Sequence, residues 1–479
     1  MKWKNIFIFD FYLSLQLKIH CPFIFIVDKN IFIKTISMTE EKREPIDKVV
    51  QPIQRFILQE KAGGIVLGLS VIIAMILANS SWSEDYFHFL EHKLGFVFNS
   101  IPFFEYSIHH WINDGLMAVF FFVVGLELKR EIVGGELSNP RKALLPIGAA
   151  VGGMLVPALI YISLNPSGEV HHGWGIPMAT DIAFALGILY LLGSKIPLSL
   201  KVFLTALAIV DDLGAVLVIA FFYTSDISFI SLAIGFGFAF IMFVGNKMGV
   251  RSILFYAIFG ILGVWTSFLL SGVHATIASV IAAFMIPADV KIRENLFVER
   301  IKKYLNKFRE VDPKSEIPTL TNDQLHLLEE IKIDTNKAIP PLQRLEHRMH
   351  PLVTFVIIPI FALANAGVSL NIDIEQLFST NIALGVALGL LLGKVLGVVG
   401  FTLLLIKLKI APFPEGMNVQ NLLGISLLAS IGFTMSLFIT SLAFTDPEYM
   451  VQAKIGIFAA SIIGGVLGYL TLSRSVKQK

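Results

Sequence analysis

Residues 204–220 read LTALAIVDDLGAVLVIA, and this stretch decides the class of fold. The run is apolar and long enough to cross most of a lipid bilayer, yet Asp211 and Asp212 lie at its middle. One carboxylate at the centre of a bilayer costs about 2.5 to 3.5 kcal/mol on insertion scales. Because two in succession need a role that offsets this cost, the pair is the first candidate for a functional site.

The composition indicates a polytopic membrane protein. The chain has 479 residues, of which 55% are hydrophobic and only 15% are charged, whereas a soluble domain has about 25% charged residues. The net charge of +2 gives no indication of a nucleic-acid partner. The single cysteine, Cys21, excludes a disulfide within the chain and a cysteine-based metal site, and no motif predicts a cofactor.

Twelve apolar segments are each close to the length of about 20 residues that a helix needs to cross the hydrocarbon. The sequence therefore predicts an all-α polytopic membrane protein with about 12 transmembrane helices. The predicted spans are residues 62–80, 112–127, 143–164, 177–193, 199–223, 226–245, 252–270, 271–288, 351–370, 382–408, 421–445 and 452–473.

The loops between these spans predict the orientation. Basic residues follow the even-numbered spans, for example Lys129 and Arg130 after span two and Lys247 and Arg251 after span six. The loops after spans three, five and nine contain neither Lys nor Arg. By the positive-inside rule, both termini are predicted to be cytoplasmic.

Two regions lie outside the predicted bundle. Residues 1–37 have apolar runs that charges interrupt too often for a span or a signal peptide. We interpret them as non-native upstream sequence before a start at Met38, with an interfacial amphipathic anchor as the alternative. The predicted organisation is this extension, a cytoplasmic segment 38–61, spans one to eight in 62–288, a cytoplasmic insertion 289–350, spans nine to twelve in 351–473 and a tail 474–479.

The insertion is predicted to contain two helices. Its first part has the apolar residues Phe297, Ile301, Tyr304, Leu305 and Phe308 at helical spacing with basic residues between them, which predicts a basic amphipathic helix. Thr321 and Gln324 are spaced as a capping box that begins a second helix. A membrane-surface or docking role and a solvated spacer both remain open.

Few ionisable residues lie deep in the apolar spans. They are Asp181, Asp211, Asp212 and Lys394. Two desolvated carboxylates in proximity cannot both stay ionised, so a pair of this kind holds protons near neutral pH. The same oxygens, when ionised, are hard ligands that suit a small hard cation. A site that carries either protons or a cation, but not both, is what exchange of the two requires.

Span four predicts an interrupted helix. Pro177 precedes Asp181 by four residues in a segment shorter than its neighbours. In transporters with inverted repeats, such breaks bring the charged ends of half-helices to the membrane midplane. Small polar residues of span eleven correspond to those of span four, so spans three to five and ten to twelve are predicted to be inverted repeats.

Several segments together resemble the NhaA family of bacterial sodium/proton antiporters, over roughly residues 50–475. They follow the order of the family. The segments are WGIPMATDIAFALGIL (174–189), LTALAIVDDLGAVLVIA (204–220), LSGVHATIASV (270–280), RLEHRMHP (344–351), FALANAGVSL (361–370), LLGKVLG (391–397) and ASIGFTMSLF (429–438).

This resemblance implies a cation site at Asp211 and Asp212, with Asp212 as the main ligand. It implies that spans four and eleven are discontinuous helices that cross, with Thr180 and Asp181 at the crossing. It also implies that Lys394 pairs with Asp211 or compensates helix dipoles. It also implies electrogenic exchange of cytoplasmic sodium or lithium for external protons in the bacterial inner membrane, by a homodimer in which the loop between spans one and two takes part.

The resemblance further implies a pH-responsive region at the cytoplasmic side. A histidine at the start of span eight matches another position that influences the pH response. The insertion enters just before Leu345, where this chain departs from shorter members of the family. The residues implied in the pH response are Glu127, Arg130, Glu131, His274, Glu346, His347 and His350.

Other interpretations are open from the residues alone. Asp181 can be a structural dipole partner, Lys394 a structural counter-charge, His274 an interfacial histidine, and Glu346 with its neighbours a cap or surface ion pair. An intramembrane aspartyl protease needs two carboxylates that share a water, and its GxGD motif is absent. A sodium-coupled symporter of a related fold is the main alternative, and a passive channel is another.

Overall fold

The computed structural model describes residues 62–98, 101–193, 196–224, 227–311, 319–369, 380–414 and 416–477. The interpretations of residues 1–37, of Met38 and of the segment 38–61 lie outside these residues. The described chain is mostly helical, which agrees with a polytopic membrane protein of the predicted class. The predicted domain boundaries stay predictions.

The first half of the described chain runs from the first span to the start of the insertion. The elements are α1 (Ala62–Ala78), α2 (Ser83–Glu91), β1 (Lys93–Phe98), β2 (Ile101–Ser107), α3 (Ile108–His110), a π-helix (Trp111–Leu116), α4 (Met117–Gly134), a 3-10 helix (Glu136–Ser138), α5 (Pro140–Leu164), a 3-10 helix (Glu169–Met178), α6 (Ile182–Leu191), α7 (Leu198–Phe222), α8 (Phe229–Lys247), α9 (Ile253–Ala257), a π-helix (Ile258–Trp265), α10 (Thr266–Leu269) and α11 (Ala275–Met285).

The second half contains the insertion and the last spans. The elements are α12 (Glu294–Val311), α13 (Asn322–Ala338), α14 (Pro341–Leu352), a π-helix (Val353–Ile357), α15 (Ile358–Asn365), α16 (Ile382–Leu388), a π-helix (Gly389–Gly393), α17 (Lys394–Lys407), α18 (Val419–Ala429), α19 (Phe433–Ala443) and α20 (Pro447–Lys477).

A two-stranded antiparallel sheet, which the sequence analysis did not predict, accompanies the helices. Strands β1 and β2 pair with Lys93 opposite Ser107 and Phe98 opposite Ile101. They occupy the loop between the first two predicted spans. Seven described helices are long and apolar enough to cross a membrane, or up to nine if each bent pair is one span. The count of twelve spans stays a prediction.

The structure interrupts the chain at the positions predicted for spans four and eleven. In span four the 3-10 helix ends at Met178, the backbone is extended at Ala179 and Asp181, and α6 follows. In span eleven α18 ends at Ala429, and α19 begins at Phe433 with a bend of 45°. Both interruptions lie within the buried interior, which is where the site is found.

A stripe of glycines on α17 and the preceding π-helix lets this span approach α5 closely. A Cβ built on Gly393 would lie 2.6 Å from the Cα of Pro157, and one on Gly397 would overlap the carbonyl oxygen of Gly152. Small residues four apart permit such backbone contact between membrane helices. The contact places Lys394, which lies between these two glycines, in the interior.

The insertion is a hairpin of two helices, α12 and α13. The predicted capping box is confirmed, because Thr321 accepts from the Gln324 amide and Gln324 accepts from the Thr321 amide. Asp334 on α13 is buried and pairs with Arg300 of α12 at 3.3 Å and with Lys337 at 3.1 Å. This carboxylate therefore joins the two helices.

Replacing Gly397 by alanine is expected to destabilise the protein by about 1 to 3 kcal/mol, because the methyl group forces α5 and α17 apart. Gly400 on the same helix has no atom within 4 Å of a built Cβ, so Gly400→Ala is the matched control. Thermal unfolding in detergent measures both. Equal midpoints for the two variants would contradict the close contact.

Replacing Asp334 by asparagine is expected to loosen the hairpin at neutral pH. Burial by itself raises the pKa of Asp334, but hydrogen bonds and charge from Lys337 and Arg300 outweigh it and hold the pKa below its usual range. The stabilisation is therefore present above the ordinary carboxyl pKa of about 3.9 and is lost as pH falls through the lower folded value.

Hydrogen exchange of α13 in wild type and Asp334→Asn measures this difference, which should be largest above pH 4. Glu329→Gln removes an exposed carboxylate of the same helix and is the control. A difference that grows on acidification would contradict the assigned pairing.

Candidate functional site

Asp181 lies between the amino-terminal ends of two half-helices. It is the N-cap of α6, and its Oδ1 accepts a hydrogen bond of 3.0 Å from the Phe184 amide. Its Oδ2 accepts from the amide of Thr434 at 3.0 Å and from the Thr434 hydroxyl at 2.6 Å. Thr434 is in the first turn of α19, so one carboxylate meets the positive ends of both helix dipoles.

Backbone contacts hold the two interruptions together. The Asp181 amide donates to the carbonyl oxygen of Ile431 at 2.6 Å. The Thr180 hydroxyl donates to the carbonyl oxygen of Ala429, at the end of α18, at 2.8 Å. In a bilayer interior every unpaired backbone group costs several kcal/mol. The extended segments are therefore stable because each satisfies polar groups that the other exposes.

Asp211 and Lys394 form a buried ion pair. Lys394 Nζ of α17 lies 2.5 Å from Asp211 Oδ2 of α7, and both side chains are 1% exposed. The Thr180 side chain also lies beside Asp211. Of the arrangements expected for Lys394, direct pairing with Asp211 is the one that the structure contains.

Asp212 lies next to this pair without a base of its own. It is 1% exposed and forms no ion pair within the described residues. Asp211, Asp181, Lys394 and Glu127 are its electrostatic neighbours. One oxygen of each adjacent aspartate, Asp211 Oδ1 and Asp212 Oδ1, is buried and accepts no hydrogen bond from the described chain.

This arrangement can do specific chemistry. Asp181 is neutralised by two helix ends and Asp211 by a lysine, whereas Asp212 has no direct compensating partner in the part of the chain that the structure describes. A buried ionised carboxylate is stable only when it is paired or coordinates a cation, and otherwise it takes up a proton. No cluster of three or more His, Cys, Asp or Glu side chains that could hold a metal ion occurs in the described residues. The two unpartnered oxygens instead suit a transient cation or protons.

A second charged cluster joins α4 to α14. Arg130 contacts Glu131 at 3.0 Å and Glu346 at 3.3 Å. Glu127 lies one turn before Arg130 and Glu131 on the same helix and is half-buried. The structure thus brings together four of the seven residues implied in the pH response.

The three histidines implied in the pH response lie at two places, two on α14 and one before α11. His347 is beside Glu346 on α14, and His350 lies one turn further on, with its Nδ1 3.5 Å from the Thr354 hydroxyl. His274 is apart from the cluster. It precedes α11, where its Nε2 lies 2.9 Å from the carbonyl oxygen of Tyr223.

Sequence reasoning missed two contributors. Thr434 supplies two of the three hydrogen bonds to Asp181. In the sequence, only its place among the small polar residues of the span-eleven segment ASIGFTMSLF distinguishes it. Lys129 donates to the carbonyl oxygens of Phe284 and Ile286 at 2.6 and 2.5 Å, at the end of α11. A cation there stabilises the negative end of the helix, and it fixes α11 beside the Arg130 cluster.

The motif FALANAG, which had no assigned role, carries a polar network. Asn365 donates to Asn113 at 2.8 Å, and its Oδ1 lies 3.1 Å from His109 Nε2. Nearby, Asn79 donates to the Val368 carbonyl and Tyr86 to the Leu363 carbonyl. The network joins the end of α15 to the first spans, away from the two aspartates.

A membrane-embedded helical bundle, with interrupted helices that meet at buried charges, defines the class of secondary transporters. The sequence matches the Na+/H+ antiporter 1 family over residues 54–472. The chain belongs to this family. Because its relatives are named as antiporters, the protein is a transporter rather than an enzyme.

Similar proteins align over most of their length. The chain is 47% identical to the Na(+)/H(+) antiporter NhaA of Oleidesulfovibrio alaskensis over 434 residues, which are 90% of this chain and 95% of the relative. It is 47% identical to Na(+)/H(+) antiporter NhaA 1 of Saccharophagus degradans, over 89% and 92%. It is also 47% identical to the antiporter NhaA of Acidithiobacillus ferrooxidans, over 90% and 99%.

Replacing Lys394 by leucine is expected to destabilise the protein by about 3 to 5 kcal/mol, because Asp211 is left buried without its partner. Adding Asp211→Asn removes the orphaned charge and should restore part of the loss. Thermal unfolding of the single and double variants in detergent measures the effect. Lys407→Leu, at an exposed lysine of the same helix, is the control and should shift stability by about 0.5 kcal/mol or less.

Proposed function

We propose that this protein exchanges cytoplasmic sodium for external protons at Asp211 and Asp212. The observation that carries the proposal is Asp212, a fully buried carboxylate without an ion-pair partner among the described residues, beside a second aspartate with one unpartnered oxygen. Such a group must be protonated or bind a cation. Similarity to proteins named as Na(+)/H(+) antiporters supports sodium as that cation.

Competition for the same oxygens couples the two fluxes. When the site faces the outside, protons displace sodium from the aspartates. When it faces the cytoplasm, the protons leave, and sodium takes the vacated carboxylate oxygens. Lys394 compensates the charge of Asp211 when no sodium is bound. The crossing held by Thr180 and Asp181 is the element whose rearrangement alternates access to the site.

The exchange is proposed to be electrogenic. Sodium that takes the oxygens of both aspartates displaces the proton of Asp212 and separates Asp211 from Lys394, whose ammonium group then releases a second proton. Two protons are thus exchanged for each sodium ion, and one net charge crosses the membrane in each cycle. A membrane potential then contributes about 2.3 kcal/mol per 100 mV to transport. Lithium is a second proposed substrate, since it is a small hard cation that suits the same oxygens.

Regulation by pH is assigned to the cluster of Arg130, Glu131 and Glu346 with Glu127, His347 and His350. The cluster joins α4 to α14, so a change of charge there alters how these helices pack. His274 is proposed as a separate contributor at the opposite end of α11.

The proposed setting is the bacterial inner membrane. The distribution of Lys and Arg favours cytoplasmic termini. Twelve spans with inverted repeats are proposed together with this orientation. A homodimer is proposed, with β1 and β2 taking part. A two-stranded sheet has two open edges, which can pair with a second copy, and Leu94 of β1 is 55% exposed.

A sodium-coupled symporter of a related fold is the alternative. It needs a pocket for an organic substrate next to the cation site. Two described cavities of about 430 and 630 Å³ have apolar linings, and neither is lined by Asp211 or Asp212. The enclosed surroundings of the two aspartates therefore favour ions alone.

Replacing Asp212 by asparagine is expected to abolish exchange, because the side chain keeps its volume but can neither bind a cation by charge nor release a proton. Everted membrane vesicles with a proton gradient and a pH-sensitive dye measure exchange. For wild type, sodium and lithium should dissipate the gradient, and potassium should not.

The control is Glu169→Gln, which removes an exposed carboxylate outside the site and should leave exchange unchanged. Exchange by folded Asp212→Asn at the wild-type rate would overturn the assignment. A response only in the presence of an organic solute would favour the symporter.

A further inference from the structure

The insertion has an exposed stripe that its helix pairing does not use. Residues Val298, Lys302, Leu305 and Arg309 are spaced by three or four, so they form one stripe along α12. Phe297, Ile301, Tyr304 and Phe308, in contrast, are half-buried. Leu305, which belongs to the apolar set of the predicted amphipathic helix, is 50% exposed, and Val298 is 41% exposed.

Helix α13 has a stripe of the same kind. Leu325, Leu328 and Lys332 are spaced by three or four, and the two leucines are 50% and 39% exposed. Lys332 is exposed as well. Glu329, four residues after Leu325 and three before Lys332, borders this stripe, and Glu294 precedes Val298 of the α12 stripe by four residues; both are exposed. Each stripe therefore presents exposed apolar side chains together with Lys or Arg.

The basic residues of these stripes have no internal ion pair among the described residues. Arg300 and Lys337 are paired with the buried Asp334. Within the described chain, Lys302, Arg309 and Lys332 form no ion pair. Their charge is therefore available to an outside partner that is negative.

The base of the hairpin is fixed at the ends of the neighbouring spans. The amides of Lys291 and Ile292 donate to the Lys337 carbonyl, and the Leu342 amide donates to the Pro287 carbonyl. Arg251, at the start of the seventh predicted span, pairs with Asp289. The hairpin thus projects from the level at which these spans end, where the bilayer surface lies.

We propose that the stripes of α12 and α13 bind the anionic lipid surface of the leaflet from which the hairpin projects. Under the proposed orientation this is the cytoplasmic leaflet. Apolar side chains enter the interface between headgroups and acyl chains, while Lys302, Arg309 and Lys332 contact anionic headgroups. Because α13 leads directly into α14, which carries Glu346, lipid binding holds the helix that contacts Arg130.

The test uses the full chain in lipid nanodiscs. In a Cys21→Ser background, Leu305→Cys carries an environment-sensitive fluorophore, and Lys303→Cys carries it on an exposed position about 160° away around the helix. Phosphatidylcholine discs contain increasing amounts of phosphatidylglycerol and a lipid with a quencher on its acyl chain. Quenching at position 305 should rise with phosphatidylglycerol and fall with salt, and position 303 should remain unquenched.

Charge variants with equal net charge sharpen the test. Lys302→Gln with Arg309→Gln removes two charges from the stripe, whereas Lys303→Gln with Lys307→Gln removes two from elsewhere on the same helix. Each stripe charge is expected to change the affinity for the anionic surface about fivefold. The first pair of substitutions should therefore raise the phosphatidylglycerol content needed for half-maximal quenching about 25-fold, or abolish quenching. The second pair should change it little.

The result that would overturn the proposal is an unquenched probe at position 305 in phosphatidylglycerol discs. Equal effects of the two charge pairs would also overturn it. A probe that responds to protein concentration but not to lipid would identify the face as a contact between copies instead. The readout does not involve transport, so it is independent of the outcome for Asp212→Asn.

Discussion

The carboxylate of Asp181 between two helix ends is the interaction on which the rest of the interior depends. An interrupted helix exposes unpaired amides at one end and unpaired carbonyl groups at the other, and a bilayer interior offers no water to satisfy them. Here the amide ends of α6 and α19 share Asp181. The Thr180 hydroxyl satisfies the last carbonyl of α18. The two breaks are therefore stable only together, which makes their crossing one structural unit.

The charges around this unit are unevenly compensated, and that unevenness is the basis of the proposed function. Asp181 has two helix ends, and Asp211 has Lys394, which close packing of glycines on Pro157 and Gly152 brings into the interior. Asp212 has neither. A fully compensated site would bind nothing, whereas one uncompensated carboxylate must bind a proton or a cation. Asp212 is thus the residue that needs a positive charge, either from a proton or from a cation.

The sequence predicted the parts of this site that depend on single residues. Buried charge in an apolar run identified Asp211, Asp212 and Lys394, and Pro177 identified the break before Asp181. The contact of Thr434 with Asp181 could not be predicted, because it depends on how two helices far apart in sequence cross. The sheet of β1 and β2 was missed, since its strands are short and contain Gly95 and Pro102, both of which weaken a strand signal.

The helix that carries Glu346 begins before the predicted ninth span. Hydropathy placed the ninth span after residue 350, because RLEHRMH is polar, but the helix begins at Pro341 and continues through residue 365. Its first turns lie beside α4, where Arg130 offsets Glu346. Polar residues within a span are thus acceptable when a neighbouring helix supplies the opposite charge, which a hydropathy window does not consider.

Calorimetric titration of sodium into the purified protein, in buffers of different ionisation enthalpy, tests the central claim most directly. The slope of the binding enthalpy against the ionisation enthalpy gives the protons released for each sodium bound. The account predicts proton release on binding at neutral pH, tighter binding as pH rises, and no sodium binding to Asp212→Asn. Sodium binding without proton release, or with equal affinity in Asp212→Asn, would contradict a site at which protons and the cation compete for the same carboxylates.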